Sequence, residues 1–382
     1  MIISQARLVR TRDVADYAWS GLRRYLNVAF VEQRIRDLHQ LDKKQRENAR
    51  KQARQIRYCL MQAREYADAA MRVSLVTKPT LFYYSTMCLA LAEVLLKQSG
   101  NSSLDRAREQ HRHHGLTFSV GSMSKGRVNL QTAASALRAS PAVNNGQRFG
   151  TFELWHRTCR EMPISGKVTN HVGLGTTTRH VALLAPADVR LKLMPLHGLS
   201  LFEVLVKLPA LLDHLAVFGI RSDLIRGSVS VEVFQNQTET YSVLIHPTND
   251  ELRDRFMGNF KFDPNAHHLV EFHEIYQGGR VDWRVDQNFG PVKMAVPHGS
   301  MWNADEVRFW PKEECLNELG FYYLALFVIG NYARYYPDRW IADVEDSTEL
   351  ALTVDELLKA AEAKVPLLTL SELERVYLVP DE

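Results

Sequence analysis

The chain has 382 residues, 46% of them apolar and 24% charged, a composition that excludes extended disorder and, at this length, calls for two cores or one elaborated core. Residues 1–115 carry 21 Lys and Arg against 11 Asp and Glu, whereas residues 311–382 carry 6 against 15. Such an asymmetry between the ends speaks of partners and self-association, because summed fields steer encounters and leave the fold undetermined.

Four cysteines, Cys59, Cys88, Cys159 and Cys315, are scattered singly, without a paired motif or a disulfide-like framework. A reducing, cytoplasmic setting is expected, and the first residues show no apolar segment followed by a small-residue cleavage site. Between Lys43 and Val73, the residues Ala49, Ala53, Ile56, Leu60, Ala63, Ala67 and Ala70 recur at four-three spacing, which predicts one helix with a seam of small side chains. Lys43, Arg46, Arg50, Arg54 and Arg57 run beside that seam and, with Lys44 and Lys51, make a basic ridge about four turns long. A solvated helix face explains this ridge without function. A nucleic-acid or anion footprint explains it with one, and Arg50, Arg54 and Arg57 are then its contacts.

A second helix is predicted from Thr77-Lys78-Pro79, with Thr77 as cap and Pro79 in the first turn, running to about Lys97 before Gly100 and Asn101-Ser102-Ser103. The His-rich stretch Arg106 to His114 closes this region. From Gly115 to Pro163 the pattern is weak, with loops around a short helix near Leu130 to Leu137. Ser122-Met-Ser-Lys125 matches a four-residue pattern too short to inform. Gly173-Leu-Gly175 through Arg179 lacks the ending of a phosphate loop and reads as a turn. Helical spacing resumes from Ser200 to Leu215, where Pro209 bends the helix or divides it.

The period then changes to two. Strands are predicted at Ser228–Phe234, Tyr241–Ile245, His268–Tyr276, Arg280–Val285 and Val292–Val296, an antiparallel set. His267, His268 and His273 fall here, but no cysteine or carboxylate at ligand spacing completes a zinc set, so neither metal nor cofactor is expected. Trp283 and Trp302 with Tyr276 and Phe289 read as an aromatic cluster on or near the sheet. The longest apolar run, Leu319 to Tyr332, has 14 residues. It is shorter than the roughly 20 of a membrane span, so it predicts a buried core helix, from Glu314 to Tyr335 and stopped by Pro337, and no membrane association. Thr353 to Glu356 reads as a capping box for a last helix that ends before Pro366.

These elements define an α+β protein: a helical bundle formed by N- and C-terminal helices with an inserted antiparallel β-rich region. The expected regions are 1–115 (helical), 116–225 (mixed helix and loop), 226–310 (β-rich) and 311–382 (helical, packing on the first). Phe82-Tyr83-Tyr84 and Phe321-Tyr322-Tyr323 open similar aromatic-then-aliphatic runs and are expected to meet in the bundle.

Three stretches resemble the YaaC-like family of prokaryotic proteins. They are Ala63-Arg64-Glu65-Tyr66 through Lys78-Pro79 and Leu81-Phe82-Tyr83-Tyr84, then His114-Gly115-Leu116, then Ala333 to Trp340. Pro366-Leu367-Leu368-Thr369-Leu370 resembles its terminal segment. That resemblance carries no established activity. In the His-rich stretch, Arg106 precedes His111 by five positions and Arg108 precedes His113 by five, which resembles the Arg-x4-6-His pattern of HEPN-type ribonucleases. The chemistry suits those residue types: an imidazole moves a proton at a ribose hydroxyl and a guanidinium stabilises charge at phosphorus without metal. Arg106, Arg108, His111 and His113 are therefore the candidate catalytic residues of this alternative.

Arg334 and Arg339, at the end of the most apolar helix, favour its dipole and would also form a basic, aromatic-lined phosphate pocket if they approached the histidines. The favoured expectation is a non-catalytic association subunit. Its partners are nucleic acid, another protein or further copies of itself as a homo-oligomer, and a place in phage defence is an expectation by analogy alone.

Overall fold

The computed structural model describes residues 3, 5–97, 113–121, 128–159, 164–185, 191–234, 239–247, 249–258, 268–275, 278–285, 299–301, 305–312 and 314–381. A first strand, β1 (Gln5–Arg10), leads into α1 (Val14–Leu22), whose Asp16 amide is capped by the Asp13 carboxylate and whose inner face buries Ala18, Trp19 and Leu22. Asn27 caps α2 (Val28–His39) in the same way. The seam of small residues forms as its spacing demands, and α3 (Arg46–Ala70) buries all seven of its members. Against it lies α4 (Lys78–Lys97), close enough that Ser85 Oγ donates to the Ala63 carbonyl at 2.7 Å.

The weakly patterned stretch holds β2 (Leu116–Val120), α5 (Leu130–Ala136), β3 (Leu137–Pro141), a small hairpin of β4 (Val143–Asn144) and β5 (Gln147–Arg148), and α6 (Thr151–Thr158). A long hairpin follows, β6 (Ile164–Val172) and β7 (Gly175–Ala185), with Gly173 at φ +62° in its turn. Strand β8 (Leu199–Ser200) pairs with β3, and Ser200 and Glu203 make a reciprocal capping box for α7 (Leu201–Leu205). Pro209 divides this helix from α8 (Leu212–Val217), as the sequence predicts.

Next come β9 (Ile225–Val233), β10 (Glu239–His246), α9 (Asp250–Gly258), β11 (His268–Ile275), β12 (Gly278–Val285), β13 (Gly299–Met301) and β14 (Val307–Phe309). Among the described residues they form an eight-stranded sheet in the order β11-β12-β10-β9-β14-β13, with β6 beside β9 and β7 beside β6. The pairings are antiparallel except β6 with β9. The strand predicted at Val292–Val296 lies outside the described residues.

The C-terminal helices are α10 (Glu318–Tyr335), capped by Asn317, then α11 (Pro337–Glu345) and α12 (Glu349–Glu374), followed by β15 (Val376–Asp381). Two expectations are corrected here. Pro337 does not merely stop a helix; it opens α11 from the first position, where a missing amide hydrogen is tolerated. The last helix is capped by Thr348 rather than Thr353, which is buried and donates to the Glu349 carbonyl at 2.7 Å, and Pro366 sits inside it.

The two chain ends form one body. Helix α4 packs against α3, α10 and α12. Tyr83 meets Tyr323 at 6.1 Å and Phe327 at 5.4 Å between ring centroids, so the two aromatic runs do pair. Strands β1 and β15 run parallel from Gln5 opposite Val376 to Arg10 opposite Asp381. Among the described residues α4 alone is long and apolar enough to cross a membrane, and most of it is buried between its neighbours.

Candidate anion and nucleic-acid interface

On the outer face of α3, Arg50, Arg54 and Arg57 are exposed and make no ion pair among the described residues. The stripe continues beyond the predicted ridge. Heptad spacing places Arg50, Arg57 and Arg64 within about 40° of a single line along the helix, and Arg54 and Met61 fill the steps between. Tyr58 is 58% exposed in its midst and Met61 42%. Arg64 lies over the Trp19 ring at 5.1 Å and pairs with Asp68 at 2.9 Å. Beside it opens a groove of about 340 Å³ walled by Trp19, Leu26 and Met61, with Arg23 and Arg64 as its cations and Asp16 and Glu65 as its anions. Arg46, counted in the ridge, is neutralised by Glu32 at 2.9 Å.

The end of the His-rich stretch lies elsewhere, at the N-terminus of α6. The His113 carbonyl accepts from the Thr151 amide at 2.9 Å and the His114 carbonyl from Phe152 at 3.0 Å. Gly115, at φ +82°, crosses Gly150, at φ +99°, so closely that a Cβ on Gly150 would stand 2.3 Å from the Gly115 Cα. This contact requires glycine at both positions, for φ and for space.

The crossing delivers His114 to α4, where its Nδ1 lies 2.7 Å from the Tyr83 hydroxyl. Burial holds the Tyr83 phenol well above its ordinary pKa, while burial and then the charges of Arg334 and His113 lower that of His114. Arg334 reaches the same place from α10 and donates to the Tyr84 hydroxyl at 3.0 Å. Tyr66, from the far end of α3, stacks on Tyr84 at 5.5 Å.

Of the sequence-predicted site residues, Arg334 therefore comes together with the end of the His-rich stretch. Arg339 stands apart on α11, over the Tyr336 ring at 5.7 Å. His113 is exposed, its ring edge-on to Phe149 at 5.1 Å. Arg106, Arg108 and His111 lie outside the described residues, as do Ser122–Lys125, His267, Tyr276, Phe289 and Trp302. Sequence reasoning gave no site role to Met61 and Arg64, whose heptad spacing from Arg50 and Arg57 was legible, or to Tyr66 and Tyr84, which entered only through the family resemblance and the aromatic run of α4. Among the described residues no group of His, Cys, Asp and Glu is arranged to hold a metal.

These features define an α+β protein with a basic helix stripe and a histidine–arginine corner on separate surfaces. Residues 22–168 and 199–373 match the YaaC-like Protein family, and the chain belongs to that family. No curated protein and no solved structure matches the chain.

Proposed function

We propose that this YaaC-like protein is a cytoplasmic, non-catalytic association subunit that binds nucleic acid along the outer face of α3. One observation carries the reading: Arg50, Arg54 and Arg57 stand exposed in a line with no ion pair among the described residues, around the exposed ring of Tyr58. Charges kept apart from carboxylates retain their full attraction for phosphate, and an aromatic ring among them offers a face on which a base stacks. From Arg50 to Arg64 the stripe spans about 21 Å at 1.5 Å per residue, room for several phosphates of one strand. The ribonuclease alternative draws on Arg106, Arg108 and His111, outside the described residues, and on His113, which is exposed at the N-terminus of α6.

Salt dependence is the test. Each guanidinium on a phosphate adds about 0.9 to the slope of log affinity against log salt on duplex DNA and about 0.7 on a single strand. The variant Arg50→Gln/Arg54→Gln/Arg57→Gln is therefore expected to lose about two to three units of slope in fluorescence-anisotropy titrations with a labelled oligonucleotide. Equal slopes for the wild type and the variant overturn the proposal.

A further inference from the structure

We propose that His114 and Arg334, flanked by Tyr66 and Tyr84, form a second anion site, built for a phosphate group and separate from the α3 stripe. Helical geometry separates them: Tyr66 is nine residues beyond Arg57, half a turn around the helix, so it faces away from the line of arginines.

The donors are preorganised. His113 and His114 are pinned through their carbonyls to Thr151 and Phe152, and the Gly115–Gly150 crossing leaves the backbone no room to shift. Tyr83 keeps its proton, and its hydroxyl lies 2.7 Å from His114 Nδ1 and 3.9 Å from the weak Met87 sulfur, with the Tyr323 hydroxyl as a further neighbour. With the phenol donating to Nδ1, the single proton of the neutral imidazole sits on Nε2, directed as a donor, and the charged imidazole that a bound anion favours carries an N–H there as well. His114 Nε2 makes no hydrogen bond among the described residues. Arg334 is exposed and uses Nη1 on Tyr84, leaving N–H groups of its fork available.

Tyr83 and Tyr84 from α4, Phe327 from α10, Arg334 and His113 face the His114 ring, and none is a carboxylate. A carboxylate ligand would use both of its oxygens on a guanidinium. A phosphate monoester has a third for the imidazole, so phosphate fits the donor set better.

The test uses the full chain labelled with 13C and 15N at histidine, with His114→Gln to assign the resonance and inorganic phosphate as the probe. Phosphate is expected to move the His114 signals and raise its titration midpoint, since a bound anion favours the charged imidazole. Arg334→Gln is expected to weaken phosphate about tenfold or more, the loss of a charge-assisted contact. The Arg50→Gln/Arg54→Gln/Arg57→Gln variant should keep the response, so this proposal and the stripe stand or fall separately. In that variant, competition by a 5′-phosphorylated decamer but not its 5′-hydroxyl form assigns the phosphate to a nucleic-acid terminus. Competition by a nucleoside monophosphate without the decamer assigns it to a small ligand. His114 signals unmoved by millimolar phosphate, or an Arg334→Gln variant that binds as the wild type does, overturn the proposal.

Discussion

Two imidazoles, His114 and His156, sit where charge is disfavoured. His156 is a buried residue of α6, its Nε2 donating to the Cys315 carbonyl at 2.8 Å, and burial lowers its pKa despite that carbonyl and the nearby Glu153. Both groups stay neutral in the fold below the ordinary value of 6.5, while the unfolded chain already takes up the proton. The unfolded state then binds more protons, so stability falls as pH drops from about 6.5 through the folded values. Raised carboxyls of Asp343 and Glu362 act in the opposite direction, so the difference between variants is the clean measurement. His156→Gln, which keeps a donor to Cys315, is expected to show a smaller loss of urea midpoint between pH 7 and pH 5 than the wild type. An equal loss would show that His156 is not protonation-sensitive. At this scale the sequence was half legible: His114-Gly115-Leu116 stood out through the family resemblance, but the need for Gly150 arises only where two distant segments cross.

Helices carried the strongest signals and also the instructive errors. The α3 seam was readable because small residues at four-three spacing have one plausible geometry. Pro366 was misread as a stop because a helix-interior proline costs about 3 kcal/mol. Beyond it, however, Leu367, Leu368, Leu370 and Leu373 are all buried, at about 1.5–3 kcal/mol each, and their sum outweighs the break. The proline leaves the Glu362 carbonyl without its helical donor beside a cavity of about 200 Å³ lined by Glu362, Val365 and Pro366. The same helix carries a buried ion cluster: Lys97 of α4 pairs with Glu93 at 2.6 Å and with Glu372 of α12, while Trp155 of α6 donates to Glu93 at 2.9 Å. Burial alone would lower the Lys97 pKa, but the carboxylates of Glu372 and Glu93 outweigh it and the net direction is upward. Removing the cation leaves two carboxylates facing each other in the interior. Lys97→Met is expected to cost about 3–5 kcal/mol in chemical denaturation, and Lys97→Met/Glu372→Gln to recover part of it. A change under about 1 kcal/mol in the single variant would mean the cluster is more hydrated than its geometry implies.

At the scale of the molecule, the charge gradient has an internal component, since the ends are neighbours: Arg10 pairs with Asp381 at 3.2 Å and Arg24 with Glu374 at 2.9 Å. Opposite charge thus meets within one chain, whereas Arg50, Arg54 and Arg57 of α3 make no ion pair among the described residues. The pairing of the aromatic runs was legible because each is a dense local pattern. Strands β1 and β15 were not, because six residues at each end acquire meaning only beside the other. Magnitudes decide what joins them. The Arg10 and Asp381 side chains are 80% and 36% exposed, where an ion pair is worth about 0–1 kcal/mol. Tyr377, Leu378 and Val379 of β15 are buried, at about 1.5–3 kcal/mol each. Their combined loss is comparable to the whole stability of a typical protein, about 5–15 kcal/mol. Truncation after Arg375 is therefore expected to abolish the cooperative thermal transition seen by circular dichroism, whereas Arg10→Gln/Asp381→Asn should shift stability by less than about 1 kcal/mol. The reverse outcome, a folded truncation and a collapsed charge variant, would make electrostatics and not apolar burial the force that closes the molecule.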